Sequence, residues 1–333
     1  MPAARPVRGR LAPSPTGYLH LGNAWAFLLA WLAARAQDGE VLLRIEDIDP
    51  QRSRPEYAAA VLEDLNWLGL DWDFGPGAKD VADAAASVGP YEQSCRGALY
   101  AEALARLEQA GLTYPCFCTR KELRSLAAAP HVDDVGAPYP GTCRHLTPAQ
   151  REAFLARGRR PCVRLRCPED AVRFTDAVQG PQCLTLADCG GDFALRRSDG
   201  VVAYQLVVAV DDALMGITQV VRGRDILPST PRQIALLRLL GHAVPQYAHV
   251  PLLLDQEGQR LAKRHAALSL RSLRQAGAAA RDIIGLLGLL ANANPGGGPA
   301  APSELLPGFA LSRVPGGDIR LTSELLRAHG LEA

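Results

Sequence analysis

Between Arg10 and Asn23 the chain reads Arg10-Leu11-Ala12-Pro13-Ser14-Pro15-Thr16-Gly17-Tyr18-Leu19-His20-Leu21-Gly22-Asn23. These residue types suit phosphate chemistry. A short strand over 7–12 ends, two prolines fix a turn, Gly17 frees the backbone, and His20 with Asn23 open a helix. Backbone N–H groups at a helix N-terminus attract phosphate, and neutral polar side chains there can donate to it. Gly22 leaves room for a flat base against the backbone. His20 taken alone reads more simply as a satisfied core histidine after a turn. A second group is Cys116-Phe117-Cys118 with the later Tyr139-Pro-Gly-Thr-Cys143. Thiolates are good zinc ligands and zinc takes four, yet the spacing fits free buried thiols equally well. A third is the basic run Arg260-Leu261-Ala262-Lys263-Arg264. Lys263 is one of three lysines, with Lys79 and Lys121, among 36 Lys+Arg. By itself this run reads as a solvated loop.

The elements that must position these groups follow from pattern. A helix is expected over about 20–37, then a strand at Val41–Ile45 that stops at Glu46-Asp47-Ile48-Asp49, and Asp49-Pro50 marks a turn. Strand, glycine turn, helix and strand open a parallel α/β sheet, whose ligands sit at the strands' carboxyl ends. Residues 56–72 and 92–111 carry helical spacing. From 112 to 193 the character changes. Six of the eight cysteines fall at 116–183, and 144–166 holds seven arginines against one acid, Glu152. This stretch reads as an inserted module. Val201–Val210, near-continuously apolar, predicts a parallel strand. Helices are expected near 231–241 and 268–290, and Pro295-Gly-Gly-Gly-Pro299 within 292–302 reads as a flexible linker.

Composition limits the alternatives. The chain of 333 residues carries Lys+Arg 36 against Asp+Glu 35, a net charge of +1, with 48% hydrophobic and 21% charged residues. That excludes a wholly disordered chain or a polycationic tail. No run reaches the roughly 18 apolar residues of a membrane span. Ala24–Ala34 mimics a secretory signal, but Pro13 to Gly17 and His20 interrupt the approach, and the run fits a buried helix. Without an export signal the eight cysteines read as reduced thiols or metal ligands. Cytoplasm is the expected compartment.

The string ending His20-Leu21-Gly22-Asn23 resembles the first signature of class I aminoacyl-tRNA synthetases in their glutamyl form. Four further blocks resemble the same family in the same order. They are Arg44-Ile45-Glu46-Asp47-Ile48-Asp49, Tyr91-Glu-Gln93-Ser94-Cys-Arg96, Asp211-Asp212 through Gly216 and Thr218, and Val220 to Asp225 followed by Thr230-Pro231-Arg232-Gln233. Arg260 to Arg264 resembles the second signature, usually Lys-Met-Ser-Lys-Ser or Lys-Leu-Ser-Lys. Arg260 keeps the charge of the usual first lysine, whereas Ala262 lacks the usual serine hydroxyl. The resemblance runs from residue 8 to about 265 and implies a Rossmann-type parallel sheet divided at 1–111, 112–193, 194–255 and 256–333.

The resemblance also implies roles. Pro13, Ser14, Thr16, Gly17, His20, Gly22, Asn23 and Arg260 through Arg264 would bind ATP with Mg2+. Among them His20, Asn23 and Lys263 would be catalytic, with Lys263 neutralising charge on the departing pyrophosphate. Arg10, Leu11, Ala12, Pro13, Ser14, Glu46, Tyr204 and Arg222 would contact L-glutamate. An arginine fork suits the side-chain carboxylate, and Glu46 suits the ammonium. One structural zinc ion is implied at Cys116, Cys118, Tyr139 and Cys143, with His131 and His145 as fallback ligands. Only 69 residues follow Arg264, so a domain that reads a tRNA anticodon is not expected.

With the segment Leu311 to Leu321, that combination resembles the glutamyl-queuosine tRNA(Asp) synthetases. These activate glutamate with ATP and transfer it to queuosine in the anticodon loop of tRNA(Asp). The arginines of 144–166 and of 260–274 would supply phosphate contacts, although a solvated face is the simpler reading. The chain is expected to be a monomer. The rival expectations are a truncated synthetase charging the 3′ end of tRNA, and a non-catalytic zinc and RNA-binding relic.

Overall fold

The structure is a computed structural model that describes residues 6–78, 88–119, 121–123, 139–261 and 268–331. Strand β1 (Arg8–Leu11) leads through the candidate turn into helix α1 (Leu21–Arg35), which returns the chain to β2 (Glu40–Leu43). β1 and β2 pair in parallel, Arg8 opposite Glu40 and Leu11 opposite Leu43. α1 is almost all Ala, Leu and Trp, and ten of its side chains are buried. It has no polar face and is held between the sheet and the C-terminal helices. Its N-terminus is closed by the Asn23 side chain, which accepts from the His20 N–H at 3.1 Å. At its C-terminus Arg35 pairs with Asp73 at 2.8 Å and Asp71 at 3.0 Å, the favourable sign for that end of the helix dipole. No helix among the described residues is long and apolar enough to cross a membrane.

Helices α2 (Pro55–Leu68) and α3 (Gly97–Gln109) follow. α2 stops four residues before its expected end because Gly69 takes the left-handed conformation, φ +78°. β3 (Thr113–Cys116), β4 (Cys162–Leu165) and β7 (Ala194–Arg196) form a small antiparallel sheet within the expected module. β5 (Val172–Asp176) and β6 (Gly180–Leu184), from the same stretch of sequence, instead make a hairpin at the edge of the larger sheet. Its order is β6-β5-β9-β8, with β8 at Gln219–Gly223 and β9 at Gln246–Val250. β8 and β9 are parallel. β1 lies beside β8, where the Thr218 N–H donates to the Arg8 carbonyl at 3.0 Å and Thr218 Oγ1 accepts from the Arg8 N–H at 2.8 Å. The carboxyl ends of β1, β2 and β8 therefore meet at one crevice.

Three expectations are corrected. Val201–Val210 is not a strand, since residues Tyr204–Leu214 form helix α5. A short apolar run cannot be assigned by periodicity. Here Leu206, Val207, Ala209 and Val210 pack among Leu104, Leu107, Leu236 and Leu237, so tertiary burial overrides the β-preference of valine. The 231–241 helix forms as α6 (Thr230–Leu239), but the 268–290 helix is divided into α7 (Leu270–Gln275) and α8 (Ala280–Leu290) around Gly277, φ +92°. The Pro295–Pro299 segment is a largely exposed turn fixed against α8 at both ends rather than a linker. Ala293 and Ala300 are buried, the Ala300 N–H donates to Arg281 at 2.9 Å, and Asn294 Nδ2 donates to the Gly298 carbonyl at 2.8 Å.

Gly285 of α8 lets that segment approach, because a Cβ there would stand 2.3 Å from the Gly298 carbonyl oxygen. Gly285→Ala is therefore expected to lower stability by about 1–3 kcal/mol. Urea unfolding followed by circular dichroism would show an earlier midpoint, and an unchanged midpoint would contradict this packing.

Candidate active site

The crevice is built around buried charge. Arg44, just beyond β2 and wholly buried, donates from Nη1 to Asp212 Oδ1 at 2.8 Å and from Nη2 to Glu46 Oε1 at 3.0 Å. Its Nε lies 3.8 Å from Asp211 Oδ2. Burial opposes the Arg44 charge, but Asp212, Glu46 and Asp211 together outweigh it and raise its pKa. Asp211 is anchored in turn by Arg96 at 2.7 Å, Gln93 at 2.8 Å and the Tyr100 hydroxyl at 3.0 Å. The 91–96 block and the Asp211-Asp212 pair thus form one ionic lattice. Glu46 feels burial first, which raises its pKa against the pull of Arg44 and Arg10.

Arg10 and Arg222 both face this crevice, as expected from their strands. Arg10 Nη1 donates to the Val221 carbonyl at 3.1 Å, and its Nε stands 3.6 Å from Asp212. Burial depresses its pKa; Asp212 opposes that, while Arg44 and Arg222 add to it. Arg222 is buried and, among the described residues, makes no ion pair. Its Nε donates to His249 Nε2 at 3.1 Å and its Nη2 to Thr230 Oγ1 at 2.9 Å. Its Nη1 has no hydrogen-bond partner. A buried guanidinium without a carboxylate is costly, so this geometry suits an anionic ligand arriving between Arg222 and Arg10.

His249 was not singled out in the sequence, where it is a lone histidine in an apolar strand. It is fully buried and its Nδ1 lies 2.6 Å from Asp176 Oδ2. Burial lowers its pKa to about 4, with Arg222 adding to the effect and Asp176 opposing it. The ring is therefore neutral at pH 7, with Nδ1–H donating to Asp176 and Nε2 accepting from Arg222. Thr230, accepting from Arg222, donates its hydroxyl to the same Nε2 at 3.0 Å. Asp176, Thr230, Arg44 and Asp212 complete the set of functional candidates to which sequence reasoning gave no role. Nothing in their local spacing marks them, because they converge from separate elements.

The candidate phosphate-binding string lies at the side of the crevice. Leu11 and Pro13 are buried, and the Pro13 carbonyl accepts from the Glu46 N–H at 2.9 Å. Ala12 is partly covered, and Ser14 is exposed. The Ser14 carbonyl accepts from the Thr16 N–H at 2.8 Å, and Gly17 completes the turn before His20. A Cβ at Gly22 would stand 3.0 Å from the His20 ring and 4.0 Å from Leu261 Cβ. The two signatures therefore meet, with Leu261 over the start of α1. Arg260 pairs with Asp225 at 2.6 Å. Ala262, Lys263 and Arg264 lie outside the described residues. Tyr204 is at the first turn of α5 rather than on a strand, on the rim and 38% exposed.

The cysteine group is compact. The sulfurs of Cys116, Cys118 and Cys143 lie within 4.8 Å of one another, and Cys118 and Cys143 are 3.6 Å apart. Two thiolates on one tetrahedral zinc stand about 3.8 Å apart, given Zn–S of about 2.3 Å, so the donor set fits that metal. The Tyr139 hydroxyl is 3.4 Å from Cys116 Sγ and accepts from the Cys143 N–H at 2.8 Å. Of the fallback ligands, His145 is exposed and outside the cluster, and His131 lies outside the described residues. Five of the seven arginines over 144–166 donate within the protein: Arg144 to Asp192, Arg151 to Leu146, Arg159 to Glu122, Arg164 to the Asp192 carbonyl and Arg166 to the Arg144 carbonyl. Arg157 and Arg160 remain exposed.

Residues 6–295 match the model of the tRNA synthetases class I (E and Q) catalytic domain, and the chain belongs to that family. It is 57% identical over 93% of its length to the Glutamyl-Q tRNA(Asp) synthetase of Nitratidesulfovibrio vulgaris, covering 94% of that protein. Identity is 50% to the Glutamyl-Q tRNA(Asp) synthetase of Symbiobacterium thermophilum, across 96% of this chain and 97% of that one. Against the Glutamate--tRNA ligase 2 of Acidithiobacillus ferrooxidans it is 44% identical over 92% of its length but covers 63% of that protein. The crystal structure of a glutamate tRNA ligase from Elizabethkingia meningosepticum, in complex with its amino acid, superposes with TM-score 0.80 at 26% identity. It covers 98% of this chain and 69% of that one.

The neutral, buried His249 makes stability pH-dependent. Its folded pKa of about 4 lies below the ordinary 6.5. Between those values the unfolded chain binds the proton and the folded protein does not. The His249 contribution is thus complete above about pH 6.5 and is lost as pH falls toward 4, amounting to about 3 kcal/mol. Urea unfolding at pH 7 and pH 4.5 is expected to show this loss, and His249→Gln should remove this part of the slope.

Proposed function

We propose that this chain activates L-glutamate with ATP to glutamyl-adenylate and transfers the glutamyl group to queuosine in the anticodon loop of tRNA(Asp). The observation that carries the reading is the Arg222 guanidinium, buried without a carboxylate opposite Arg10 and beside the first-signature helix. Close identity to proteins named for this activity supports the substrate. So does near-complete coverage of them, against 63% coverage of a glutamate–tRNA ligase.

In this reading Arg222 and Arg10 clasp the side-chain carboxylate, and Glu46 receives the ammonium within the pocket made by Leu11, Ala12, Pro13, Ser14 and Tyr204. The α-carboxylate attacks the α-phosphorus of ATP, the bond from that phosphorus to the bridging oxygen breaks, and a mixed acyl-phosphate anhydride with AMP forms as pyrophosphate leaves. Asn23, His20 and the backbone of Pro13 to Gly22 hold the phosphates, and Arg260 through Arg264 cover them. Lys263 neutralises the departing pyrophosphate, a charge interaction that strengthens in the transition state. A hydroxyl of the modified base then attacks the activated carbonyl and AMP leaves. Catalytic residues 1–111 and 194–255 would frame this crevice, with the 112–193 module and the 256–333 region flanking it. Cys116, Cys118, Cys143 and Tyr139 would hold one zinc ion, whose chemistry is to cross-link the module. We place the reaction in the cytoplasm, in a monomer.

Incubation with radiolabelled glutamate, ATP and tRNA(Asp) tests the proposal. Label is expected on the queuosine-bearing tRNA and absent from tRNA(Asp) lacking queuosine; 3′-end charging of tRNA(Glu) would sink it. Arg222→Ala should raise the KM for glutamate at least tenfold and Lys263→Ala should cut kcat at least a hundredfold, both read by pyrophosphate exchange. Metal analysis of the purified protein should return one zinc per chain, lost in Cys143→Ser.

A further inference from the structure

A second charged cavity opens beside Tyr204, on the side away from the β1 and β8 ends. It encloses about 270 Å³ between α6, the start of α5 and the small antiparallel sheet, and Arg164, Arg232, Tyr139, Asp192, Tyr204 and Gln205 are among its lining residues. Arg232 is 8% exposed. Among the described residues it has no hydrogen bond and no ion pair; its Nε is buried without a partner, and its one ring contact is Phe193 at 5.6 Å. Its nearest ionisable neighbours besides Arg164 are Cys167 and Cys189, both thiols whose pKa burial raises, so both are neutral. Among the described residues no carboxylate pairs with this charge.

Arg164 adds a second guanidinium. It is 9% exposed, stacks over the Tyr139 ring at 3.8 Å, and donates from Nη1 to the Asp192 carbonyl at 2.6 Å. Its Nε is also buried and unpartnered, while burial of its charge is outweighed by Cys116, which raises its pKa. The one carboxylate lining the cavity, Asp192, is already engaged. Arg144 at 2.7 Å and the Cys167 N–H at 2.8 Å donate to Oδ1, and the Tyr114 hydroxyl donates to Oδ2 at 2.7 Å. Gln205 is occupied by Ser229 and Gln233. Among the described residues the lining therefore presents the Arg232 charge with no carboxylate free to meet it.

Two arginine forks suit the oxygens of a phosphate. Position selects the source. The cavity shares Tyr204 with the glutamate pocket, and the proposed reaction requires an RNA nucleotide to reach the carboxyl group held there. A nucleotide arriving at that rim brings its flanking phosphates within reach of Arg232. Resting on the proposed function, we infer that the Arg232–Arg164 cavity receives a phosphodiester of the RNA strand adjoining the nucleotide that accepts the glutamyl group.

The test uses full-length Arg232→Gln and Arg232→Lys. Glutamate-dependent pyrophosphate exchange by Arg232→Gln should match the wild type within twofold. The KM for queuosine-bearing tRNA(Asp) in transfer should rise about tenfold, and the salt dependence of kcat/KM should flatten by roughly one phosphate contact, a slope change of about 0.7. Arg232→Lys should recover part of the transfer. Because the arginine is uncompensated in the free protein, Arg232→Gln should raise Tm on the order of 2 °C; an arginine that merely braces the fold would lower it. Transfer and salt slope unchanged in Arg232→Gln would overturn the inference, as would an equal fall in exchange and transfer. Inorganic phosphate binding lost in Arg232→Gln with unchanged tRNA kinetics would assign the cavity to a free anion and also overturn it. Wild-type protein that fails to glutamylate queuosine-bearing tRNA(Asp) would refute the proposed function instead, so the two failures are distinguishable.

Discussion

Arg44 carries a full positive charge in a place no water reaches, and the crevice takes its shape from how that charge is met. Asp212 comes from α5, Glu46 from the segment after β2, and Asp211 brings Arg96 and Gln93 from the start of α3. Removing one partner of a buried ion pair typically costs 3–5 kcal/mol, because the other is left charged and dry. The lattice is thus a strict geometric constraint. It fixes α5 against the β1–β2 end of the sheet, and so fixes Tyr204 at one rim and Glu46 at the floor. An apolar core could hold these elements together, but it would not set the position of a carboxylate to within hydrogen-bond tolerance.

Arg222 is treated differently, and the contrast separates scaffold from site. Where Arg44 is surrounded by acids, Arg222 is held by neutral acceptors, His249 Nε2 and Thr230 Oγ1. Asp176 holds the His249 ring and fixes its tautomer. These contacts orient the guanidinium plane without cancelling its charge. The attraction left over is available to a ligand, and a neutral histidine preserves it because a protonated one would present an N–H to Arg222 and repel it. Orientation without neutralisation is what a carboxylate-binding arginine needs.

Much of this was legible in the sequence, for identifiable reasons. Arg10, Glu46 and Arg222 could be placed at strand ends because β1, β2 and β8 are short strands with clear stops, and residues at such stops share an edge of a parallel sheet. The His20–Asn23 helix start could be read because its chemistry is local, within one turn. Tyr204 was placed on a strand that does not exist: an apolar run broken only by Gln205 carries no period, and valine content misled where burial against α3 and α6 decided. Asp176 and His249 were silent because their partnership spans 73 residues of sequence and leaves no spacing to detect. Arg44, Asp212 and Thr230 were visible only as members of longer strings. The glycine-rich 295–299 segment read as a linker because composition reports freedom, whereas Gly285 opposite Gly298 uses the same missing side chains for close contact.

The division of labour follows from these differences. On the proposed reading activation uses groups from the parallel sheet and the first signature segment, which meet at the carboxyl ends of β1, β2 and β8, with Leu261 of the second over the start of α1. On the proposed reading transfer brings a polymer to the same crevice, and the Arg232–Arg164 cavity lies at the seam where α5 and α6 face the β3-β4-β7 sheet. Residues at such a seam can keep a charge unpaired in the free protein, because a binding partner rather than a neighbour supplies the counter-charge. Arg164 stacked on Tyr139 stands at that seam and also against the cysteine cluster. Holding the module rigidly therefore also holds one wall of that cavity, so a zinc ion bound at the cysteine cluster as proposed would steady the wall without touching the reaction.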